Sequence, residues 1–99
     1  MKLIWAPLAL ERVSEIAGYI ARDRPVAAEQ WVEELFAVVA RLEQFPLSGR
    51  EVPETRRPDL REVLHGSYRI IYRVESEQVS VLTVRHGRQL LDLAELESS

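Results

Sequence analysis

The spacing of apolar residues changes near the middle of the chain, and this change restricts the folds that the sequence can adopt. In the first half, apolar side chains recur at steps of three and four, which is the spacing of one face of an α-helix. After Pro58 they alternate with polar side chains, which is the spacing of a half-buried β-strand. Pro46, Pro53 and Gly49 lie between the two halves and indicate a loop. The sequence therefore predicts helices first and strands second.

Two helices are expected in the first half, over residues 8–22 and 26–44. Pro25 suits the first turn of the second helix, since its missing N–H would have no partner there. Gly18 weakens the first helix, and we expect it to allow a close approach of the second. The second helix has the more regular apolar stripe, formed by Ala28, Trp31, Leu35, Val38, Leu42 and Phe45. About three residues join the helices, so they should form an antiparallel hairpin.

Three antiparallel strands are expected in the second half, over residues 60–64, 68–75 and 79–86. Gly66-Ser67 marks the first turn, and a polar turn follows residue 75. Both faces of the third strand are largely apolar, which predicts a central position in the sheet. A short strand over residues 2–5 and a short helix or ordered tail over residues 90–96 complete the chain.

The predicted order β-α-α-β-β-β defines an α+β fold of two layers, with the helical hairpin packed on one face of a small antiparallel sheet. Trp5 and Trp31 are in phase with apolar neighbours and are expected in the core. The other face of the sheet would be left for solvent or for function. We expect one domain over residues 1–99, because this length suits a single small core.

Composition excludes several classes of protein. The chain has no cysteine, so disulfides and thiolate metal sites are excluded. Its two histidines, His65 and His86, have no clear carboxylate partner, so we expect no metal and no cofactor. The start of the chain is too short and too interrupted for a signal peptide, and no apolar run approaches a membrane span. We therefore expect a cytoplasmic protein without a membrane partner.

Arginine is concentrated in the second half of the chain. Residues 56–88 contain seven arginines and four acidic residues, whereas the whole chain has a net charge of −3. Alternation along the strands would put Arg69 and Arg73 on the outer face, with Arg61 and one of Arg85 or His86 beside Arg69. The pattern does not decide between Arg85 and His86. Such a cluster, with Arg88 beyond the strand end, would bind phosphate or a carboxylate-rich partner.

The stretches 67–74 and 79–88, with the acidic turn between them, resemble the strand-turn-strand signature of RelE/ParE toxins. The start of the chain, Ile4-Trp5-Ala6-Pro7, resembles their first strand and the entry to their first helix. Pro25-Ala27-Ala28 and Phe45-Pro46-Gly49-Arg50 also fall where the family has similar residues. The resemblance covers the chain from Lys2 to about Leu91, and it implies the toxin of a type II toxin–antitoxin system.

The resemblance implies one of two activities. RelE-like toxins cleave messenger RNA on the ribosome, and ParE-like toxins inhibit DNA gyrase without known catalytic chemistry. For cleavage, Arg69 would stabilise charge, His86 would serve as acid or base, and Glu54 or Glu62 would serve as a base. The chain has one lysine and no tyrosine after Tyr72, and its hairpin and Arg-His-Gly-Arg ending look more ParE-like. We therefore favour gyrase inhibition, with ribosomal messenger RNA cleavage as the alternative.

In the ParE-like interpretation the arginines contact a target or an antitoxin instead of catalysing a reaction. The contact residues expected are Arg61, Arg69, Arg73, Arg85 and Arg88. The partner implied by the family is a cognate antitoxin that folds on binding. We expect an acidic, amphipathic segment that packs on the hairpin and runs toward the arginines, in a heterodimer or heterotetramer.

Overall fold

A computed structural model describes residues 1–96, and it places the predicted helices and strands in the predicted order, with one additional two-residue strand at Arg50–Glu51. Two single turns of 3₁₀ helix, Arg41–Glu43 and Leu93–Leu96, follow the second helix and end the described chain. The helices and strands are β1 (Lys2–Trp5), α1 (Pro7–Ala21), α2 (Pro25–Ala40), β2 (Arg50–Glu51), β3 (Leu60–His65), β4 (Tyr68–Val74) and β5 (Gln78–His86). Within these residues no helix has the length and apolarity needed to cross a membrane.

The strands form one mixed sheet in the order β1-β5-β4-β3-β2. The three predicted strands are antiparallel neighbours, and β5 lies inside the sheet, between β1 and β4, as its apolar faces predicted. β1 adds a parallel edge strand, which pairs with β5 from Gln78 to Val81 only. The remaining part of β5 therefore extends beyond β1. The α+β class and the two-layer packing of the hairpin on the sheet are confirmed.

The main core lies between the hairpin and one face of the sheet. Each helix begins with proline at its first turn, as predicted for Pro25. Trp5 and Trp31 pack against this core, as expected. Full burial of a valine, leucine or isoleucine side chain stabilises a fold by about 1.5–3 kcal/mol. The buried members are Ala9, Val13, Leu35, Val39, Leu42, Ile70, Tyr72, Val79, Val81 and Val84.

The second helix is shorter than its apolar stripe predicted. It ends at Ala40, and the backbone tightens into the 3₁₀ turn at Arg41–Glu43. Leu42 stays buried, but Phe45 is 61% exposed and does not continue the stripe. The expectation for Gly18 was also wrong, because a Cβ there would meet no atom within 4 Å. Its small size is not required by the packing of α1 on α2.

A β-bulge changes which side chains of β5 share a face. Ile71 pairs with Thr83 and Tyr72 pairs with Val81, so Leu82 is an extra residue in β5. Val81 and Val84 consequently both face the helices, while Leu82 belongs to a different cluster. Strict alternation would place Val79, Val81, Thr83 and Arg85 on one face. That expectation was wrong for the residues after the bulge.

The outer face of the sheet is partly covered, whereas the sequence predicted an open face. Val52, from the segment after β2, and Leu96, from the C-terminal 3₁₀ turn, cover Leu60, Ile71 and Leu82. These residues form a second, smaller core. The expectation of a short helix or ordered tail over residues 90–96 is confirmed by the 3₁₀ turn and this contact. The extra cover was not visible in the sequence because loop residues have no periodic pattern.

Tyr72 fixes the loop that leads into β2. Its hydroxyl donates to the carbonyl of Pro46 at 2.7 Å and accepts from the N–H of Gly49 at 3.0 Å. The backbone approaches so closely that a Cβ on Gly49 would lie 2.5 Å from the carbonyl oxygen of Glu62. This position therefore requires glycine. The contact holds β2 beside β3 and so places Arg50 next to the arginines of the outer face.

Candidate interaction site

Arg69 is the centre of a buried ion-pair network on the outer face of the sheet. It is 6% exposed and donates to Glu62 Oε1 from Nε at 2.9 Å and from Nη2 at 2.5 Å. It also donates to both carboxylate oxygens of Glu54, at 2.9 and 2.8 Å. Arg50 donates to the second oxygen of Glu62 at 2.7 Å. Two guanidinium groups thus neutralise two carboxylates, and one of these carboxylates is fully buried.

The network has an electrostatic consequence for Glu54. Hydrogen bonds from Arg69 hold the pKa of the Glu54 carboxyl below its ordinary value, although partial burial acts in the opposite direction. The same bonds raise the pKa of the Arg69 guanidinium, which stays charged. Glu54 is therefore ionised at neutral pH and remains paired with Arg69. The bond also ties the segment after β2 to the sheet.

Arg85, and not His86, shares the outer face with Arg69. The two arginines are direct partners in the register of β4 and β5. Arg85 Nη1 donates to Glu95, which also accepts from Thr83 Oγ1 at 2.8 Å and from Arg12 Nε at 3.4 Å. Glu95 is 7% exposed and lies in the C-terminal 3₁₀ turn. One carboxylate thereby joins α1, β5 and the end of the described chain.

His86 lies on the helix side of the sheet. It pairs with Tyr68 in the register, and the two rings meet edge to face with centroids 5.4 Å apart. Its Nδ1 accepts from the backbone N–H of Arg88 at 3.1 Å. Arg69 and His86, the two residues expected to act together in RNA cleavage, are therefore on opposite faces of the sheet.

The expected gathering of Arg61 with Arg69 was wrong. Arg61 pairs with Tyr72, whose side chain is in the helix-side core, and it donates to the carbonyls of Gly49 and Pro58 at 2.9 and 3.1 Å. Glu62 takes the place next to Arg69, because alternation along β3 puts it on the outer face with Leu60. Arg73 does face outward, and its Nε lies 3.8 Å from Glu75 Oε1.

Arg88 lies just after β5 and is exposed, without an ion pair among residues 1–96. It is therefore the expected contact residue with the greatest freedom to meet a partner. Glu54 and Glu95 were missed as partners of Arg69 and Arg85. Glu95 falls in a stretch without periodic signal, whereas the phase of Glu62 with Leu60 would have indicated its position.

A cleft separates α1 from the end of β5, and we call it the β5 cleft. It arises where β5 extends beyond β1, and its volume is about 640 Å³. Ile16 and Val84 supply apolar lining, and Arg12 is held at its margin by Glu15 at 3.0 Å. The remaining lining residues are Tyr19, Tyr68, Arg85, His86 and Gln89.

Solved structures with this architecture come from toxin–antitoxin systems. The "Chromosomal ParDE TA system from P. aeruginosa" aligns with a TM-score of 0.74 and 20% identity, over 87% of this chain and 95% of that chain. The toxin–antitoxin complex RelBE2 of Mycobacterium tuberculosis aligns with a TM-score of 0.55 and 22% identity, over 86% and 95%. At these identities the likeness concerns the fold. The chain therefore shares its fold with these two structures.

Sequence comparison identifies the family. The profile of the family described as "ParE toxin of type II toxin-antitoxin system, parDE" matches residues 3–91. A protein of Sinorhizobium fredii named "Putative toxin Y4kP" is 37% identical over 90 residues, which are 89% of this chain and 90% of that protein. The chain belongs to the ParE toxin family of type II toxin–antitoxin systems.

Proposed function

We propose that this toxin inhibits DNA gyrase by binding to it and that a cognate antitoxin prevents this binding. The observation that carries the proposal is the arrangement of Arg69 and His86. RNA cleavage next to a 2′-hydroxyl needs a free cation for the phosphorane and a proton-transferring group at the same phosphate. Here four hydrogen bonds from Arg69 go to Glu54 and Glu62, and His86 is across the sheet. This geometry favours a toxin that acts through contacts.

The contact residues of this proposal are the exposed groups near the end of β5. Arg88 is the first candidate, because its guanidinium is exposed and lacks an ion pair among residues 1–96. Arg73 has only one long contact, with Glu75, whereas Arg69 and Arg85 are bound closely to Glu62 and Glu95. In this proposal Arg69 and Arg85 stabilise the fold and do not contact gyrase. Arg61 has the same supporting role at the other face, where it binds carbonyls.

The test is to add the purified toxin, free of antitoxin, to gyrase supercoiling of plasmid DNA and to messenger RNA cleavage on programmed ribosomes. We expect inhibited supercoiling with intact RNA. Arg88→Glu should weaken inhibition, and Arg22→Glu, the same charge change at the exposed end of α1, should not. Cut RNA with normal supercoiling would overturn the proposal in favour of the RelE-like alternative. In that case His86→Ala should abolish cleavage.

The antitoxin of the proposal is encoded beside the toxin and folds on it. Both similar structures come from toxin–antitoxin systems, which supports a partner of this kind. We propose that an acidic, amphipathic segment packs on the hairpin and extends toward Arg88, in a heterodimer or heterotetramer. Size-exclusion chromatography with light scattering of the co-expressed pair tests both statements. Separate elution of the two proteins would refute the partnership.

A further inference from the structure

We propose that the β5 cleft binds a carboxylate side chain of the antitoxin, with an apolar neighbour of that residue on Ile16 and Val84. This inference rests on the proposed function, because it assumes the antitoxin. It goes further by assigning the acidic segment to one site. The first argument is the origin of the cleft. β1 covers β5 only as far as Val81, so the stretch that ends at His86 has space beside it.

The second argument is the hydrogen-bonding character of the cleft. Among residues 1–96 Arg85 Nε is buried without a hydrogen-bond partner, and Arg85 lines the cleft. Neutral His86, which also lines the cleft, carries its proton on Nε2, because its Nδ1 accepts from the N–H of Arg88. A carboxylate accepts several hydrogen bonds and would supply the acceptor that Arg85 Nε lacks.

The third argument concerns the charges already present. Glu15 and Glu95 are the acidic groups at the cleft, and each is bound to arginine. The Arg12–Glu15 pair is three residues apart on an exposed helix surface, where such pairs contribute little. Arg12 Nη1 can therefore exchange Glu15 for an incoming carboxylate while Arg12 Nε keeps its bond to Glu95. Glu95 stays in place, because Thr83 and Arg85 hold it as well.

Gln89 allows a sharp test, because it is exposed and lines the cleft. Its Oε1 accepts from the N–H of His86 at 3.2 Å, and a glutamate would keep this bond. Gln89→Glu therefore adds one negative charge to the cleft with almost no change in shape. Gln44→Glu is the matched control. Gln44 is also exposed and lies near the opposite end of β5, away from the cleft. The preceding residue, Glu43, accepts a hydrogen bond from the N-terminus of Met1, which leads into β1 beside the start of β5.

The measurement is the dissociation constant of each variant with the purified antitoxin encoded by the adjoining gene, by titration calorimetry. We expect Gln89→Glu to weaken binding about tenfold and Gln89→Lys to strengthen it, because like charges repel and opposite charges attract across a docking surface. Gln44→Glu should bind as the unmodified toxin does. Tyr68→Phe, which removes only a hydroxyl, should weaken binding about fivefold.

Equal affinities of Gln89→Glu and Gln44→Glu would overturn the cleft proposal while leaving the antitoxin partnership intact. Failure of the unmodified toxin to bind would overturn both. If Gln89→Glu reduced gyrase inhibition but not antitoxin affinity, the cleft would belong to the target and the proposal would again be wrong. Circular dichroism of each variant confirms that the fold is retained before affinities are compared.

Discussion

Replacing Arg69 with methionine should destabilise the protein far more than the loss of an ordinary surface ion pair. Glu62 has a side-chain exposure of 0%, and Arg69 supplies two of its hydrogen bonds. Arg50 would remain, but its side chain is 62% exposed and binds only the other carboxylate oxygen. Methionine would fill part of the space and leave a buried charge half compensated. Breaking a buried pair in this way costs about 3–5 kcal/mol.

That loss is large for a domain of this size, whose total stability is about 5–15 kcal/mol. Urea unfolding followed by far-UV circular dichroism measures it. With a slope of about 1–3 kcal/mol per molar urea, we expect the midpoint to fall by more than about 1 M. The matched control is Arg57→Met, because Arg57 and Asp59 form an exposed pair with side-chain exposures of 53% and 38%. The control should lose less than about 1 kcal/mol.

The double variant Arg69→Met with Glu62→Leu separates the charge from the packing. Removing both buried charges together should restore most of the lost stability, since a buried pair replaced by apolar groups is often neutral. The reasoning would be refuted if Arg69→Met unfolded within about 1 kcal/mol of the unmodified protein. It would also be refuted if the double variant were no more stable than Arg69→Met alone.

Three further predictions concern single groups. Hydrogen bonds from Arg69 lower the pKa of Glu54 in the folded state. The contribution of Glu54 to stability is therefore complete above its ordinary pKa of 4.5 and is lost as pH falls through the folded pKa. Between pH 6 and pH 2 the free energy of unfolding in urea should fall less steeply for Glu54→Gln than for the unmodified protein. Tyr72→Phe removes both hydrogen bonds to the loop before β2 and leaves the N–H of Gly49 and the carbonyl of Pro46 without this partner. Thermal or urea unfolding should therefore show a loss of about 1–3 kcal/mol in unfolding free energy. Gly18→Ala should raise the unfolding free energy by about 0.5–1 kcal/mol, because the added Cβ would meet open space. Gly49→Ala should lower the unfolding free energy, because its Cβ would collide with the carbonyl of Glu62 and the hydroxyl of Tyr72.

The sequence by itself determined the elements and their order. The two apolar stripes, the proline at the start of each helix and the alternation in β4 are local signals, and local signals are preserved when the chain folds. They were sufficient for the helical hairpin, the strands and the central position of β5. They were also sufficient for the outward direction of Arg69 and Arg73, since the extra residue of the bulge lies in β5 and the side chains of β4 alternate without interruption.

Only the tertiary structure decided which side chains meet. The bulge at Leu82 reverses the phase of β5, and no residue type in β5 marks its position, so the choice between Arg85 and His86 required the register. Glu54 and Glu95 reach their arginines from irregular segments, whose course depends on contacts distant in sequence. The sequence thus indicated a surface rich in arginine. The fold pairs Arg69 and Arg85 with carboxylates and leaves Arg88 exposed, because charges buried in the sheet must be compensated and those beyond its end are solvated by water.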